Sequence, residues 1–125
     1  MTLSLLLVED NQRTQAQLQD MLAHSGFHVT VANDGLDGFS KAKQQHFDIV
    51  LSDHKMPLMD GITLLRNLRD LPTYQQQPLL LMTTQNLTDI EPLALKAGAV
   101  QCLAKPLAQV QLLDVLRQWA KQIAA

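Results

Sequence analysis

Cysteine is nearly absent from this chain of 125 residues: Cys102 stands alone, which excludes an intramolecular disulfide and a thiolate-rich metal site. Positive charge is also scarce. Ten Lys and Arg against twelve Asp and Glu leave a formal charge of −2, far from the basic footprint of an autonomous nucleic-acid binder. Long apolar runs are missing as well. The longest, Leu5-Leu6-Leu7-Val8 and Pro78-Leu79-Leu80-Leu81-Met82, are strand-sized and well short of the ~20 residues a membrane-spanning helix requires. No G-x-G-x-x-G occurs, so a dinucleotide pyrophosphate finds no glycine-rich turn. Met1 opens directly on a strand pattern with no signal peptide, so the expected setting is the reducing cytoplasm, without membrane insertion or direct contact to nucleic acid.

What is present is alternation. With 46% hydrophobic and 18% charged residues, the chain has the size and composition of one domain, expected to occupy residues 1–125. Leu3 to Val8 reads as a buried strand, and Asn11 opens a helix carrying Leu18, Met21 and Leu22 that Gly26 closes. Phe27 to Ala32 has period-2 patterning, and Asn33-Asp34-Gly35 turns into a helix bearing Leu36, Phe39 and Ala42. Asp48 to Ser52 is a third strand, followed by a loop from Met56 to Gly61 and a helix from Ile62 to Leu71 that Pro72 ends. Leu79 to Thr83 is the fourth strand. Thr88 or Asp89 is the expected cap of the next helix, putting Pro92 in its first turn, and Gly98 suits its left-handed stop. Ala99 to Ala104 makes a fifth strand, and Leu112, Leu113, Leu116, Trp119, Ala120 and Ile123 stripe a final helix. Five strands alternating with five helices require crossovers between parallel neighbours, so the predicted fold is α/β, an open doubly wound parallel sheet covered on both faces.

Such sheets bind ligands at the carboxyl ends of their strands. Those ends carry Glu9 and Asp10, Asp53, Thr83 and Thr84, and Lys105-Pro106. Carboxylates gathered at one rim repel each other unless a cation compensates, and an all-oxygen ligand set suits Mg²⁺. A flavin phosphate would instead be repelled by Val8-Glu9-Asp10-Asn11. With the metal neutralising its charge, Asp53 is the candidate nucleophile toward a phosphoryl group, while Lys105 and the Thr83 hydroxyl are placed to stabilise the phosphoryl oxygens.

In combination these motifs resemble the receiver domain of bacterial two-component response regulators, the CheY-like, flavodoxin-like fold, over essentially the whole chain. Leu7-Val8-Glu9-Asp10-Asn11 is similar to that family's acidic metal pair and Ser52-Asp53-His54-Lys55-Met56-Pro57-Leu58-Met59-Asp60-Gly61 to its phosphoacceptor segment. Leu81-Met82-Thr83-Thr84 and Ala104-Lys105-Pro106-Leu107 match its hydroxyl-bearing and Lys-Pro elements. The resemblance implies strand order 2-1-3-4-5. It further implies Mg²⁺ held by Glu9, Asp10, Asp53 and the backbone carbonyl of Lys55, and transfer of phosphate to Asp53 from the phosphohistidine of a sensor histidine kinase or histidine phosphotransfer protein. Thr83 and Lys105 would hold the phosphoryl group, Lys105–Pro106 would be cis, and Lys55 and Gln85 would tune the hydrolysis rate. The chain would be a phosphoacceptor with only its own phosphotransfer and autodephosphorylation, not an enzyme, acting as a monomer or weak dimer.

Three residues before the lysine the family usually carries an aromatic switch, and here Cys102 takes that place. A small thiol cannot signal by ring rotation, so the response is expected in the fourth helix and the loop before it. The Thr83-Thr84 doublet resembles single-domain, chemotaxis-type regulators. The chain ends just past its last helix, so no output domain is expected and signalling would pass through a downstream effector protein; an isolated receiver of a larger protein would look the same. One alternative is a pseudo-receiver that binds a partner without phosphorylation. A remoter one is a Mg²⁺-dependent phosphatase with an aspartyl nucleophile, which would want a second aspartate where Lys55 stands. His24, His28, His46 and His54 have no metal-ligand spacing, and His54 is expected to point away from the phosphoryl group, affecting access and local pKa.

Overall fold

The computed structural model describes residues 2–124. Its elements run β1 (Ser4–Val8), α1 (Gln12–Leu22), β2 (His28–Ala32), α2 (Gly35–Gln44), β3 (Ile49–Asp53), α3 (Gly61–Arg69), a single 3₁₀ turn (Pro72–Tyr74), β4 (Leu79–Thr83), α4 (Leu87–Ala97), β5 (Gln101–Ala104) and α5 (Gln109–Ala124). All strand pairs are parallel and the sheet order is β2-β1-β3-β4-β5, as expected. The order reverses at β1, so the rim where β1 and β3 end side by side is the switch point.

Strand side chains alternate between faces, and each face has its own core. Leu6, Val8, Val50, Leu79, Leu81 and Cys102 pack with Ala42 of α2, Leu64, Leu65 and Leu68 of α3, and Ile90, Ala94 and Ala97 of α4. Leu5, Leu7, Ile49, Leu51, Leu80, Met82 and Leu103 pack with Leu18 and Leu22 of α1 and Leu112, Val115 and Leu116 of α5. The central strands β3 and β4 are buried along their whole length, which is why they read as continuous apolar runs rather than as alternation.

Two expectations at α4 need correction. Its cap is Asn86, whose side chain accepts from the Thr88 N–H at 2.8 Å, rather than Thr88 or Asp89. The amide side chain of Asn86 reaches the orphan amides of the first turn, so the helix starts at Leu87 and Pro92 lies inside it instead of in the first turn. Pro92 and Thr88 are both exposed, so water is available to the Thr88 carbonyl that a proline cannot serve. Gly98 does end α4 in the left-handed conformation, at φ 114°.

Two polar side chains tie the periphery to the sheet. Arg69 at the end of α3 donates from Nε (3.0 Å) and Nη2 (2.7 Å) to the Gly98 carbonyl and from Nη1 to Gln77 O (2.8 Å), joining α3, the loop before β4 and the end of α4. Tyr74 is fully buried, donates its hydroxyl to Ala42 O (2.8 Å) and accepts from Phe47 N–H (3.1 Å). Buried backbone groups of the α2–β3 connection are thereby satisfied.

Candidate functional site at the strand ends

Parity decides what meets at the rim. Continuing the alternation of β1, β3 and β5 past Leu7, Leu51 and Leu103 brings Glu9, Asp53 and Lys105 to the face of α1 and α5. Lys105 Nζ lies 2.7 Å from Glu9 Oε1 and 3.0 Å from Asp53 Oδ1, bridging the ends of β1 and β3 from the loop after β5. Carboxylate oxygens of Glu9, Asp10 and Asp53 lie within 4.8 Å of one another. Glu9 and Asp53 are buried and Asp10 is exposed, so the cluster has a solvent-facing side. Glu9 is fixed further by the Asn11 N–H, which donates to Oε2 at 3.2 Å.

These contacts set the protonation of the pair. Burial pushes the Glu9 carboxyl up to about 7, against the hydrogen bonds from Lys105 and the Asn11 amide that favour its ionised form, with the neighbouring Asp53 charge adding to the rise. Burial disfavours the Lys105 ammonium, but hydrogen bonds to Glu9 and Asp53 outweigh that and hold it above the ordinary lysine value. Lys105 therefore stays cationic and serves as the internal counter-charge. The donor set fits a hard divalent cation: every candidate ligand is a carboxylate oxygen, and two of them sit where positive charge is already required.

The loop after β3 is pressed against this rim by two glycines. A Cβ at Gly61 would stand 2.1 Å from the Asp53 carbonyl oxygen, and one at Gly35 would stand 2.0 Å from that of Met59; no larger residue fits either place. Asp60 caps α3 by accepting from Thr63 N–H at 2.8 Å, and the Gly61 N–H donates to His54 O at 2.7 Å. Leu58 at the loop tip has φ 71° and is 76% exposed.

Thr83 stands apart from the carboxylates. As the last residue of β4 it shares the face of Leu79 and Leu81, where its buried Oγ1 lies 2.9 Å from His54 Nδ1 and accepts from the Gln85 N–H at 3.0 Å. The partner of His54 is thus Thr83, a contact the sequence reading did not anticipate. The signal was available: alternation through Val50 and Ser52 puts residue 54 on the face of Thr83. Burial, with the nearby Lys55 charge, lowers the imidazole pKa and favours the neutral ring. Lys55, Thr84 and Gln85 are exposed around the rim, and the Lys105–Pro106 peptide is cis. Cys102 is buried in the core shared with α4, and its thiol is pushed up chiefly by that burial and also by Glu91.

Comparison with known proteins agrees with this architecture. Residues 5–117 match the response regulator receiver domain family, and the chain belongs to it: it is a receiver domain of the two-component phosphorelay class, a signalling domain rather than a classical enzyme. The receiver domain of a sensor histidine kinase from Pseudomonas aeruginosa, solved with a magnesium ion coordinated in its active-site cleft, superposes with a TM-score of 0.87 at 31% identity, over 95% of this chain and 98% of that one. Chemotaxis protein CheY4 of Vibrio cholerae gives a TM-score of 0.90 at 28% identity over 95% and 99%. Among curated relatives, the transcriptional regulatory protein HprR of Escherichia coli is 32% identical over 96% of this chain and 52% of its own length. The sensor histidine kinase RcsC of Escherichia coli is 35% identical over 91% of this chain and 11% of its own. The chain thus spans about half of one relative and a small part of the other. Among the described residues no helix is long and apolar enough to cross a membrane.

Proposed function

We propose that Asp53 accepts a phosphoryl group from the phosphohistidine of a sensor histidine kinase or histidine phosphotransfer protein, and that the phosphorylated chain signals by altered contacts with an effector protein. The observation that carries this reading is the bridge from Lys105 to both Glu9 and Asp53, with Asp10 beside them. Asp53 spends Oδ1 on Lys105, and among the described residues no protein donor reaches its Oδ2. That oxygen is the nucleophile. A P–O bond to Asp53 forms as the P–N bond of the phosphohistidine breaks, and the bonding pair stays with the departing imidazole nitrogen.

Glu9, Asp10, Asp53 and the Lys55 carbonyl would hold Mg²⁺, which when bound neutralises the repulsion between carboxylate and phosphoryl oxygens. Lys105 is cationic at the same place and stabilises charge on the transferred group. Lys55 and Gln85 flank the rim with exposed side chains and would govern how readily water reaches the acyl phosphate. With Lys55 two residues beyond the nucleophile, no carboxylic acid is placed there to protonate a leaving group, which argues against a phosphatase.

The test is the intact mass of the wild type and of Asp53→Asn after incubation with Mg²⁺ and acetyl phosphate. One Mg²⁺-dependent phosphoryl adduct on the wild type alone is expected. Equal labelling of the variant would overturn the assignment of Asp53, no adduct on either would favour a pseudo-receiver, and donor turnover without adduct would restore the phosphatase.

A further inference from the structure

Thr83 is 1% exposed, and its Oγ1 has two hydrogen-bonding neighbours, the Gln85 N–H at 3.0 Å and His54 Nδ1 at 2.9 Å. The hydroxyl has a single proton. The Gln85 amide donates to the oxygen, and in the tautomer of His54 protonated at Nε2 the hydroxyl proton lies on Nδ1, the one hydrogen-bond acceptor that the described residues offer it. His54 is itself buried at 4% exposure, so the contact is shielded from competing water.

We propose that His54 is a positioning residue for the phosphoryl group: its Nδ1 holds the Thr83 hydroxyl proton on the α4 side of the sheet, and a phosphoryl group on Asp53 must win that hydrogen bond from the imidazole. This deepens the reading of Asp53 as phosphoacceptor and rests on it. No covalent bond to hydrogen breaks; the proton stays on Oγ1 and changes acceptor from a ring nitrogen to a phosphoryl oxygen. The exchange reaches α4 directly, since the Gln85 amide that donates to Oγ1 immediately precedes the Asn86 cap of that helix. It leaves a buried imidazole nitrogen without its partner, which favours reorientation of the ring. The chain thereby has a buried ring whose state depends on Thr83.

The experiment uses beryllofluoride formed in the presence of Mg²⁺ as phosphoryl mimic on the full chain at pH 8. The ¹⁵N resonance of His54 Nδ1 in the wild type is expected to shift on addition of the mimic. His54→Leu is expected to bind it about tenfold more tightly, the worth of one released hydrogen bond. In a Thr83→Val background the same His54→Leu change is expected to have no effect, which a merely structural role for His54 would not produce. An unmoved Nδ1 resonance, or equal affinity of wild type and His54→Leu, with the mimic demonstrably bound, would overturn the role of His54 while leaving Asp53 intact. Failure of the wild type to bind the mimic at all would overturn the phosphoacceptor reading and this inference with it.

Discussion

Lys105 and Glu9, separated by 96 residues in sequence, are joined by a 2.7 Å contact from Nζ to Oε1. The pair closes the rim of the sheet from β1 across to the loop after β5, and the same ammonium reaches Asp53 at 3.0 Å. One cation thus compensates two buried carboxylates, and the stability of the rim depends on it.

Replacing Lys105 by methionine keeps the aliphatic stem and removes the charge. Glu9 and Asp53 then face each other with side chains only 1% and 10% exposed, and breaking a buried pair in this way costs about 3 kcal/mol. The urea midpoint of Lys105→Met should fall accordingly at pH 8, and added Mg²⁺ should recover more stability in the variant than in the wild type, because it replaces a counter-charge the wild type already has. Equal midpoints without metal would show that the ammonium is not needed there.

The Glu9 carboxyl carries a pH dependence with a definite sign. Its pKa is raised from 4.5 to about 7 in the folded chain, chiefly by burial. Between those values the folded state keeps a proton that the unfolded state has released, so stability falls as pH rises through this window and levels off above it. Glu9→Gln removes the titration. In EDTA, the difference in unfolding free energy should therefore shift in favour of Glu9→Gln from pH 5 to pH 8, by up to about 3 kcal/mol. Parallel curves across that range would show that Glu9 ionises normally.

Much of the architecture was legible because burial leaves a periodic trace. The fully buried strands β3 and β4 appear as Ile49-Val50-Leu51 and Leu79 to Met82, and Gly98 marks the stop of α4 by its need for a positive φ. The carboxylate cluster was legible from position alone, since Glu9, Asp10 and Asp53 each sit at a strand end and parallel strands bring those ends together. The start of α4 was not, because Asn86, Thr88 and Asp89 are all competent caps and only the geometry of the turn selects Asn86. Nor was the Arg69 clamp on Gly98 and Gln77, which depends on how α3 and α4 lie against one another and leaves no periodic mark. The meeting of His54 with Thr83 falls between these cases: strand parity puts the two on one face, but their contact across neighbouring strands depends on the register, Asp53 opposite Met82.

Gly61 links the legible loop motif to the geometry of the site. Its Cα packs so closely on β3 that a Cβ would lie 2.1 Å from the Asp53 carbonyl oxygen and 2.7 Å from Leu81 Cδ1. The nearer atom is backbone and cannot rotate away, so Gly61→Ala must displace either the start of α3 or the end of β3. The gain in helix propensity from alanine is at most about 1 kcal/mol, whereas overpacking of this kind costs about 1–3 kcal/mol, so net destabilisation is expected. Displacement at β3 would move the Asp53 carboxylate relative to Lys105. Gly61→Ala should therefore lower the urea midpoint and also slow Mg²⁺-dependent phosphorylation by acetyl phosphate, even under conditions where the variant is fully folded. A variant as stable and as fast as the wild type would mean that the loop yields without disturbing the strand.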